Sequence, residues 1–332
     1  MRIELAKSAG FCYGVKRAVE MAEQTARSGG AVLLGPVIHN DHVVSKLERE
    51  GAVLVRAVEE VPDGASVILR SHGEAKWVHD ALEQKGCRII DTACPNVQRI
   101  HRLVAEAEAA GRQPVIIGTP DHPEIVAIAG WCRHPVVLPD GEALSAWLAE
   151  CPERREMPLT LVSQTTSTRK IWDQAIETAK KECTNAEIFD TICNATYIRQ
   201  TEAQELAARC DAMIIIGDRK SSNTKRLSEL CRALCPRVVA IEGAEELEPA
   251  SFAGAASIGI TAGASTPGWI IKEVYDKMSD EIMEIEESFA DLLEKSIKTL
   301  NTGEKVTGVV TEITPTEIYV DLGTKHAGYI PV

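Results

Sequence analysis

Asp91-Thr92-Ala93-Cys94-Pro95 and Asp190-Thr191-Ile192-Cys193-Asn194 are two copies of one short motif, and their surroundings decide the fold. Each cysteine follows an apolar pair, Ile89-Ile90 or Ile188-Phe189, and precedes an amphipathic helical pattern. That pattern leads to a second apolar run ending in glycine, Pro114-Val115-Ile116-Ile117-Gly118 or Met213-Ile214-Ile215-Ile216-Gly217. Near the start of the chain, Phe11-Cys12-Tyr13-Gly14-Val15 repeats the arrangement more weakly. Ile3-Glu4-Leu5 precedes it and Ala31-Val32-Leu33-Leu34-Gly35 follows. From cysteine to glycine, the steps Cys12 to Gly35, Cys94 to Gly118 and Cys193 to Gly217 are 23, 24 and 24 residues. Four residues past each glycine stands a polar group: His39, His122 or Ser221. Such matched offsets signal a threefold internal repeat, each copy carrying one thiol and one polar loop.

Each copy holds a second polar loop after a further apolar run. Val67-Ile68-Leu69 leads into Arg70-Ser71-His72-Gly73, and Leu159-Thr160-Leu161-Val162 into Ser163-Gln164-Thr165-Thr166-Ser167. Ser257-Ile258-Gly259-Ile260 leads into Thr261-Ala262-Gly263-Ala264-Ser265-Thr266-Pro267. Strands alternating with helices predict parallel sheets. The expected fold is therefore α/β, with three pseudo-threefold-related lobes over residues 1–93, 94–192 and 193–279. Ligands of parallel sheets bind beyond the carboxyl ends of the strands, where every polar loop named here begins, so a shared central cleft is expected. Residues 280–302 read as an acidic amphipathic linker helix, with Ile282, Ile285, Phe289, Leu292, Leu293, Ile297 and Leu300 on one stripe. From 303 to 332 the pattern turns strand-like.

The 332 residues carry a formal charge of −13, which argues against nucleic-acid binding through a broad basic surface. No apolar run approaches the roughly 20 residues of a membrane helix. The start of the chain has no apolar leader, so no membrane association and a cytoplasmic location are expected. Ten cysteines are many for such a chain, and the absence of any Cys-x-x-Cys excludes zinc-ribbon and thioredoxin arrangements. Cys87, Cys132, Cys151, Cys183, Cys210, Cys231 and Cys235 lie outside the repeat and read as small apolar side chains in or near the core.

Three thiolates from separate segments suit a 4Fe-4S cluster with three cysteine ligands and an open fourth iron, because closed clusters normally take four cysteines. An open coordination position marks chemistry, as it does for catalytic zinc. Zinc on the same cysteines plus one of His39, His72 or His122 is the other metal reading. The polar loops supply His39, His72, His122, Ser221, Ser222, Asn223 and Ser265, a mostly neutral ring of donors that could hold a diphosphate without a P-loop. For Ser221-Ser222-Asn223 the plainer reading is a helix N-cap. Glu124 stands two residues past His122, where it is either a proton donor or a first-turn glutamate complementing a helix dipole.

The motifs Gly10-Phe11-Cys12-Tyr13-Gly14-Val15, Ser71-His72-Gly73, Asp91-Thr92-Ala93-Cys94-Pro95 and His122-Pro123-Glu124 resemble the LytB family of 4-hydroxy-3-methylbut-2-enyl diphosphate reductases. So do Gln164-Thr165-Thr166, Cys193, Ser221-Ser222-Asn223 and the stretch Thr261 to Pro267, and the likeness spans about residues 1–280. The resemblance implies the last step of the methylerythritol phosphate route to isoprenoids. In that step a two-electron reductive dehydroxylation gives isopentenyl and dimethylallyl diphosphate. It implies Cys12, Cys94 and Cys193 as cluster ligands, with Glu124, Thr165 and His122 as the proton-delivering group. His39, His72, His122, Thr165, Ser221, Ser222, Asn223 and Ser265 would bind substrate, and ferredoxin or flavodoxin would supply electrons. Residues 303–332 resemble the opening of an OB-fold RNA-binding domain of the ribosomal protein S-one type, through Gly308-Val309-Val310, Val320-Asp321-Leu322-Gly323 and Ala327-Gly328-Tyr329-Ile330-Pro331. An OB fold uses more strands than this stretch supplies, so RNA binding by the incomplete segment is not expected.

Overall fold

The computed structural model describes residues 2–252, 254–280, 303, 305–314, 317–322 and 327–331. The chain opens with β1 (Arg2–Leu5) and α1 (Tyr13–Arg27). It continues through β2 (Ala31–Leu34), α2 (Asp41–Arg49), β3 (Ala52–Val55), β4 (Ser66–Ile68), α3 (Lys76–Gln84) and β5 (Arg88–Ile90). The same alternation follows in α4 (Pro95–Ala109), β6 (Gln113–Ile117), α5 (Pro123–Ala129) and β7 (Val136–Leu138), then α6 (Gly141–Glu150), β8 (Leu159–Ser163), α7 (Arg169–Glu182) and β9 (Ala186–Ile188). It comes once more in α8 (Asn194–Arg209), β10 (Ala212–Ile216), α9 (Ser222–Arg232), β11 (Val238–Ile241), β12 (Ser257–Ala262) and α10 (Gly268–Asp280).

These strands form three four-stranded sheets with one shared order: β3-β2-β4-β5, β7-β6-β8-β9 and β11-β10-β12-β1. Every pair is parallel. The fold is α/β with parallel-sheet lobes, as the alternation predicts. One strand departs from sequence order. β1, expected in the first lobe, instead completes the third sheet, pairing with β12 from Arg2↔Ser257 to Leu5↔Ile260. The physical reason is visible in the shared order. β5 and β9 each deliver a cysteine and lie beside the strand of a polar loop, and β1 occupies the same place in the third sheet.

Two compact units result, one of Met1–Lys16, His39–Val43 and Asn194–Val332, the other of Arg17–Ile38 and Val44–Cys193. In the second unit the β6–β9 sheet shows how the core forms. Ile116 and Val162 point to one face, against Ile100 and Val104 of α4, all fully buried. Val115, Ile117, Leu159 and Leu161 point to the other, against Leu144, Leu148 and Trp172. Period-two alternation buries both faces of a parallel sheet, and each such side chain contributes about 1.5–3 kcal/mol by leaving water. In the first unit β10 is buried throughout, with Ile214, Ile215 and Ile216 packed among Leu227, Ile258 and Val274.

A separate antiparallel sheet is made of β13 (Val309–Ile313), β14 (Glu317–Asp321) and β15 (Ala327–Pro331), with a register shift between Val310 and Glu312. This is the partial β segment expected after residue 303. The predicted linker helix falls on residues outside those described, apart from its first, which ends α10. Among the described residues no helix is long and apolar enough to cross a membrane.

Candidate functional site

Cys12, Cys94 and Cys193 each directly precede a helix, α1, α4 and α8 respectively. The carbonyls of Cys12 and Cys94 accept the first helical bonds, from Lys16 N at 2.9 Å and Gln98 N at 3.0 Å. The three backbone N–H groups share a second pattern. Cys12 donates to Ala264 O at 3.3 Å, Cys94 to Ser71 O at 2.9 Å and Cys193 to Thr165 O at 3.0 Å. Each cysteine is thus tied to the polar loop of the neighbouring strand. All three cysteines are half-buried, and each stands at a helix N-terminus. The remaining cysteines differ. Cys210, Cys231 and Cys235 are buried, and burial pushes Cys132 and Cys231 up to about 12, so these thiols stay protonated.

The residues before each cysteine explain the turn. Asp91 Oδ1 accepts from Ala93 N at 2.9 Å, and Asp190 Oδ1 from Ile192 N at 3.4 Å, each closing an Asx turn. Thr92 Oγ1 donates to Leu69 O at 2.5 Å, and Thr191 Oγ1 to Ser163 O at 2.6 Å, stapling the turn to the adjacent strand end. The Cys12 copy has Ala9-Gly10 at these positions and is held from outside. Arg199 of α8, itself buried, donates to Ser8 O at 2.7 Å and Gly10 O at 2.8 Å. Glu202, one turn on, accepts from Lys7 N at 2.7 Å and Ser8 N at 2.8 Å. Sequence reading missed this clamp, because an arginine and a glutamate three apart on a helix look like a solvated face.

In the second unit the Asn96 amide on the first turn of α4 donates to Cys193 Sγ at 3.4 Å, bringing two of the three cysteine segments together. His72 lies in a loop whose shape depends on Gly73. That glycine has φ +85°, and a Cβ there would fall 2.6 Å from His101 Cε1. His101 is buried and stacks on Trp131 at 4.9 Å, while Trp131 Nε1 donates to Glu74 O at 2.9 Å. Burial lowers the His101 pKa to about 3, so the imidazole is neutral at physiological pH. Gly73→Ala should lower unfolding free energy by about 2–4 kcal/mol, through left-handed strain and overpacking together. Urea titration checks this, and a stability within 0.5 kcal/mol of the parent (about the size of a neutral surface change) would refute it.

Glu124 and Thr165 meet in this unit. Glu124 is buried, and its Oε1 and Oε2 accept from Thr165 N and Oγ1, each at 2.7 Å. Removal from water raises the carboxyl pKa, and the two Thr165 bonds oppose that rise in part. His122 is the N-cap of α5, its Nδ1 accepting from Glu124 N at 3.1 Å. Glu124 lies in the first turn of α5, and its carboxyl is withdrawn from water. Gln164, named only as part of a motif, positions both loops. Its Oε1 accepts from Thr119 N at 3.1 Å and its Nε2 donates to Thr166 Oγ1 at 2.9 Å.

The first unit holds the other polar loops. Ser221 is the N-cap of α9, as its local pattern suggests, and its Oγ accepts from Thr224 N at 3.5 Å. Ser222 and Asn223 begin that helix, and His39 is half-buried. Asn223 Oδ1 and Nδ2 and Ser265 Oγ are buried and have no hydrogen-bond partner among the described residues. Unpaired buried groups of this kind are costly in a native protein, and a bound polar ligand removes the cost. The sequence-predicted residues thus divide into two sets. Cys12, His39, Ser221, Ser222, Asn223 and Ser265 belong to one unit, and Cys94, Cys193, His72, His122, Glu124 and Thr165 to the other. Among the described residues no three His, Cys, Asp or Glu side chains are grouped to hold a single metal ion.

Residues 3–279 match the family model described as LytB protein, and residues 299–332 match that of the S1 RNA binding domain. A 4-hydroxy-3-methylbut-2-enyl diphosphate reductase of Geobacter metallireducens is 39% identical over 281 residues, covering 84% of this chain and 98% of that protein. The enzyme of that name from Clostridium tetani is 35% identical over 333 residues, 98% of this chain, and the chain spans 51% of its length. Among solved structures, the terminal enzyme of the non-mevalonate pathway, (E)-4-hydroxy-3-methyl-but-2-enyl diphosphate reductase, aligns with a TM-score of 0.63 at 36% identity. It covers 84% of this chain and all of that one. The Plasmodium falciparum E-1-hydroxy-2-methyl-but-2-enyl-4-diphosphate reductase aligns at 0.77 with 25% identity, covering 83% and 87%.

Proposed function

This chain belongs to the LytB protein family, and we propose that its repeated loops carry out that family's chemistry with the residues named above. It is an oxidoreductase that reduces 4-hydroxy-3-methylbut-2-enyl diphosphate, the terminal step of the non-mevalonate route, and an iron–sulfur protein. In the proposal, Cys12, Cys94 and Cys193 hold one 4Fe-4S cluster. Their fit rests on three half-buried cysteines at helix N-termini, each with its amide fixed by a neighbouring loop. When bound, such a cluster supplies two electrons one at a time and an open iron as a Lewis acid for the allylic hydroxyl.

Around that chemistry the protein holds and moves a proton. Glu124, whose carboxyl burial biases toward the protonated form, is the general acid that lets the hydroxyl leave as water. Thr165 fixes both oxygens of that carboxyl. His122 caps the helix that carries it. The same Thr165 accepts the Cys193 N–H through its carbonyl, so one residue links the proton donor to a cluster ligand. That link is the observation that carries the reading. Asn223 and Ser265, with unpaired buried donors and acceptors, bind the diphosphate together with His39, His72, His122, Ser221 and Ser222. The products are isopentenyl and dimethylallyl diphosphate, and a small one-electron donor such as ferredoxin or flavodoxin supplies the reducing equivalents in the cytoplasm. The C-terminal sheet takes no part in this reading, and RNA binding is not assigned to it.

Iron and acid-labile sulfide, counted on anaerobically prepared protein, should approach four of each per chain, the content of one 4Fe-4S cluster. The same preparation should turn over the allylic diphosphate with dithionite and a viologen mediator. A colourless zinc protein would overturn the cluster, and an iron-loaded chain inert toward that substrate would overturn the substrate assignment.

A further inference from the structure

Asn96 stands two residues past Cys94 and reaches the sulfur of a different cysteine, Cys193, with Nδ2 at 3.4 Å from Sγ. Its place on α4 is well fixed. Gln98 N donates to Cys94 O at 3.0 Å, and Gln98 Nε2 donates to Asp91 Oδ2 at 2.9 Å. The helix start therefore cannot slide relative to the Cys94 turn. Sulfur is a weak acceptor as a thiol, and bonds to a charged acceptor are shorter and stronger than bonds to a neutral one. The contact therefore gains most when Cys193 is a metal-bound thiolate, and gains more as negative charge collects on the sulfur.

We infer that Asn96 is a positioning residue that donates an N–H···S bond to Cys193 and thereby raises the reduction potential of the iron–sulfur group this cysteine holds. Reduction adds one electron to the group, and part of that charge resides on its cysteine sulfurs. A fixed N–H dipole stabilises the reduced state more than the oxidised one, which makes the electron easier to accept. No bond to Asn96 forms or breaks, and its proton stays on the amide. Because the substrate needs two electrons delivered singly, this amide sets how readily the first enters from a one-electron donor. The inference rests on the iron–sulfur reading above.

The test is an EPR-monitored potentiometric titration with dithionite, run on anaerobically reconstituted full chain. It compares the parent with Asn96→Leu, which keeps the branched shape and removes the donor, and with the smaller Asn96→Ala. Iron per chain is measured on each. Iron content should match the parent, and the midpoint should shift to more negative values in both variants. Asn96→Asp, which brings a carboxylate toward the sulfur, should shift it further the same way. An unmoved or more positive midpoint in a fully loaded Asn96→Leu or Asn96→Ala would overturn the inference. Loss of iron from both would overturn it too, since Asn96 would then be a structural support and not a donor that tunes the group. A parent chain that takes up no iron would instead overturn the underlying cluster reading.

Discussion

Glu124→Gln should lose about 100- to 10,000-fold in turnover while retaining its iron and its affinity for the allylic diphosphate, the range a positioned general acid contributes. The substitution keeps shape, and the amide oxygen can still accept from Thr165 N, but no proton remains to give. The pH dependence distinguishes this loss from a mere packing defect. Burial raises the Glu124 pKa, so the parent should lose activity as pH rises through that value, and the variant should lack this limb. The linkage has the same sign. The folded chain holds the proton to higher pH than the unfolded chain does. Stability from the neutral carboxyl is therefore complete below the ordinary glutamate range and is lost as pH climbs through the raised folded value. Steady-state rates from acid to alkaline pH, with parallel denaturant titrations of both proteins, check each part. A variant turning over at near-parental rate would remove Glu124 from the mechanism.

Cys193→Ser should cost the chain most of its iron, at least about 10-fold in metal retention, because a serine hydroxyl is hard, neutral and poorly matched to iron–sulfur chemistry. The backbone bond from residue 193 to Thr165 O survives the change, so the turn keeps its geometry and the effect reports on the sulfur itself. Cys132→Ser is the matched control. Its thiol is pushed up to about 12 by burial and lies outside the repeat, so iron content should stay at the parental level. Colorimetric iron and sulfide assays on both variants decide the point. Equal iron in Cys193→Ser and the parent would refute its role as a ligand.

Much of this architecture was legible because the repeat is written in spacing. Runs such as Val115-Ile116-Ile117 and Ile214-Ile215-Ile216, short and ended by glycine, read as buried strands, and the cysteine-to-glycine steps set the order of elements around them. The polar loops were likewise read correctly as strand-end features. What spacing could not convey was pairing. Ile3-Glu4-Leu5 carries no local sign that its partner is Ser257 to Ile260, because strand pairing is chosen by the edge left open, and not by proximity in sequence. Side chains acting at a distance were equally hidden. Arg199 and Glu202 do for Cys12 what Asp91 and Thr92 do for Cys94, and only the missing Asp-Thr before Cys12 hinted that a substitute was needed. Nothing in Cys94-Pro95-Asn96 names the distant sulfur that Asn96 meets. His101 was hidden for a further reason: it fills the space that the bare Cα of Gly73 leaves, with Trp131 stacked on it.

The placement of β1 also orders events in time. Arg2–Leu5 is synthesised well before its partner β12, Ser257–Ala262, which lies far along the chain. The sheets β2–β5 and β6–β9 can each close from contiguous chain as synthesis proceeds, whereas the third waits for a contact spanning most of the sequence. Such non-local pairing is slow to form and leaves an exposed edge while it waits. Cys12, whose amide bonds to Ala264 just beyond β12, is therefore the last of the three cysteines to be set in place. Cys94 and Cys193 stand before their helices earlier, so the proposed cluster site would gain Cys12 last.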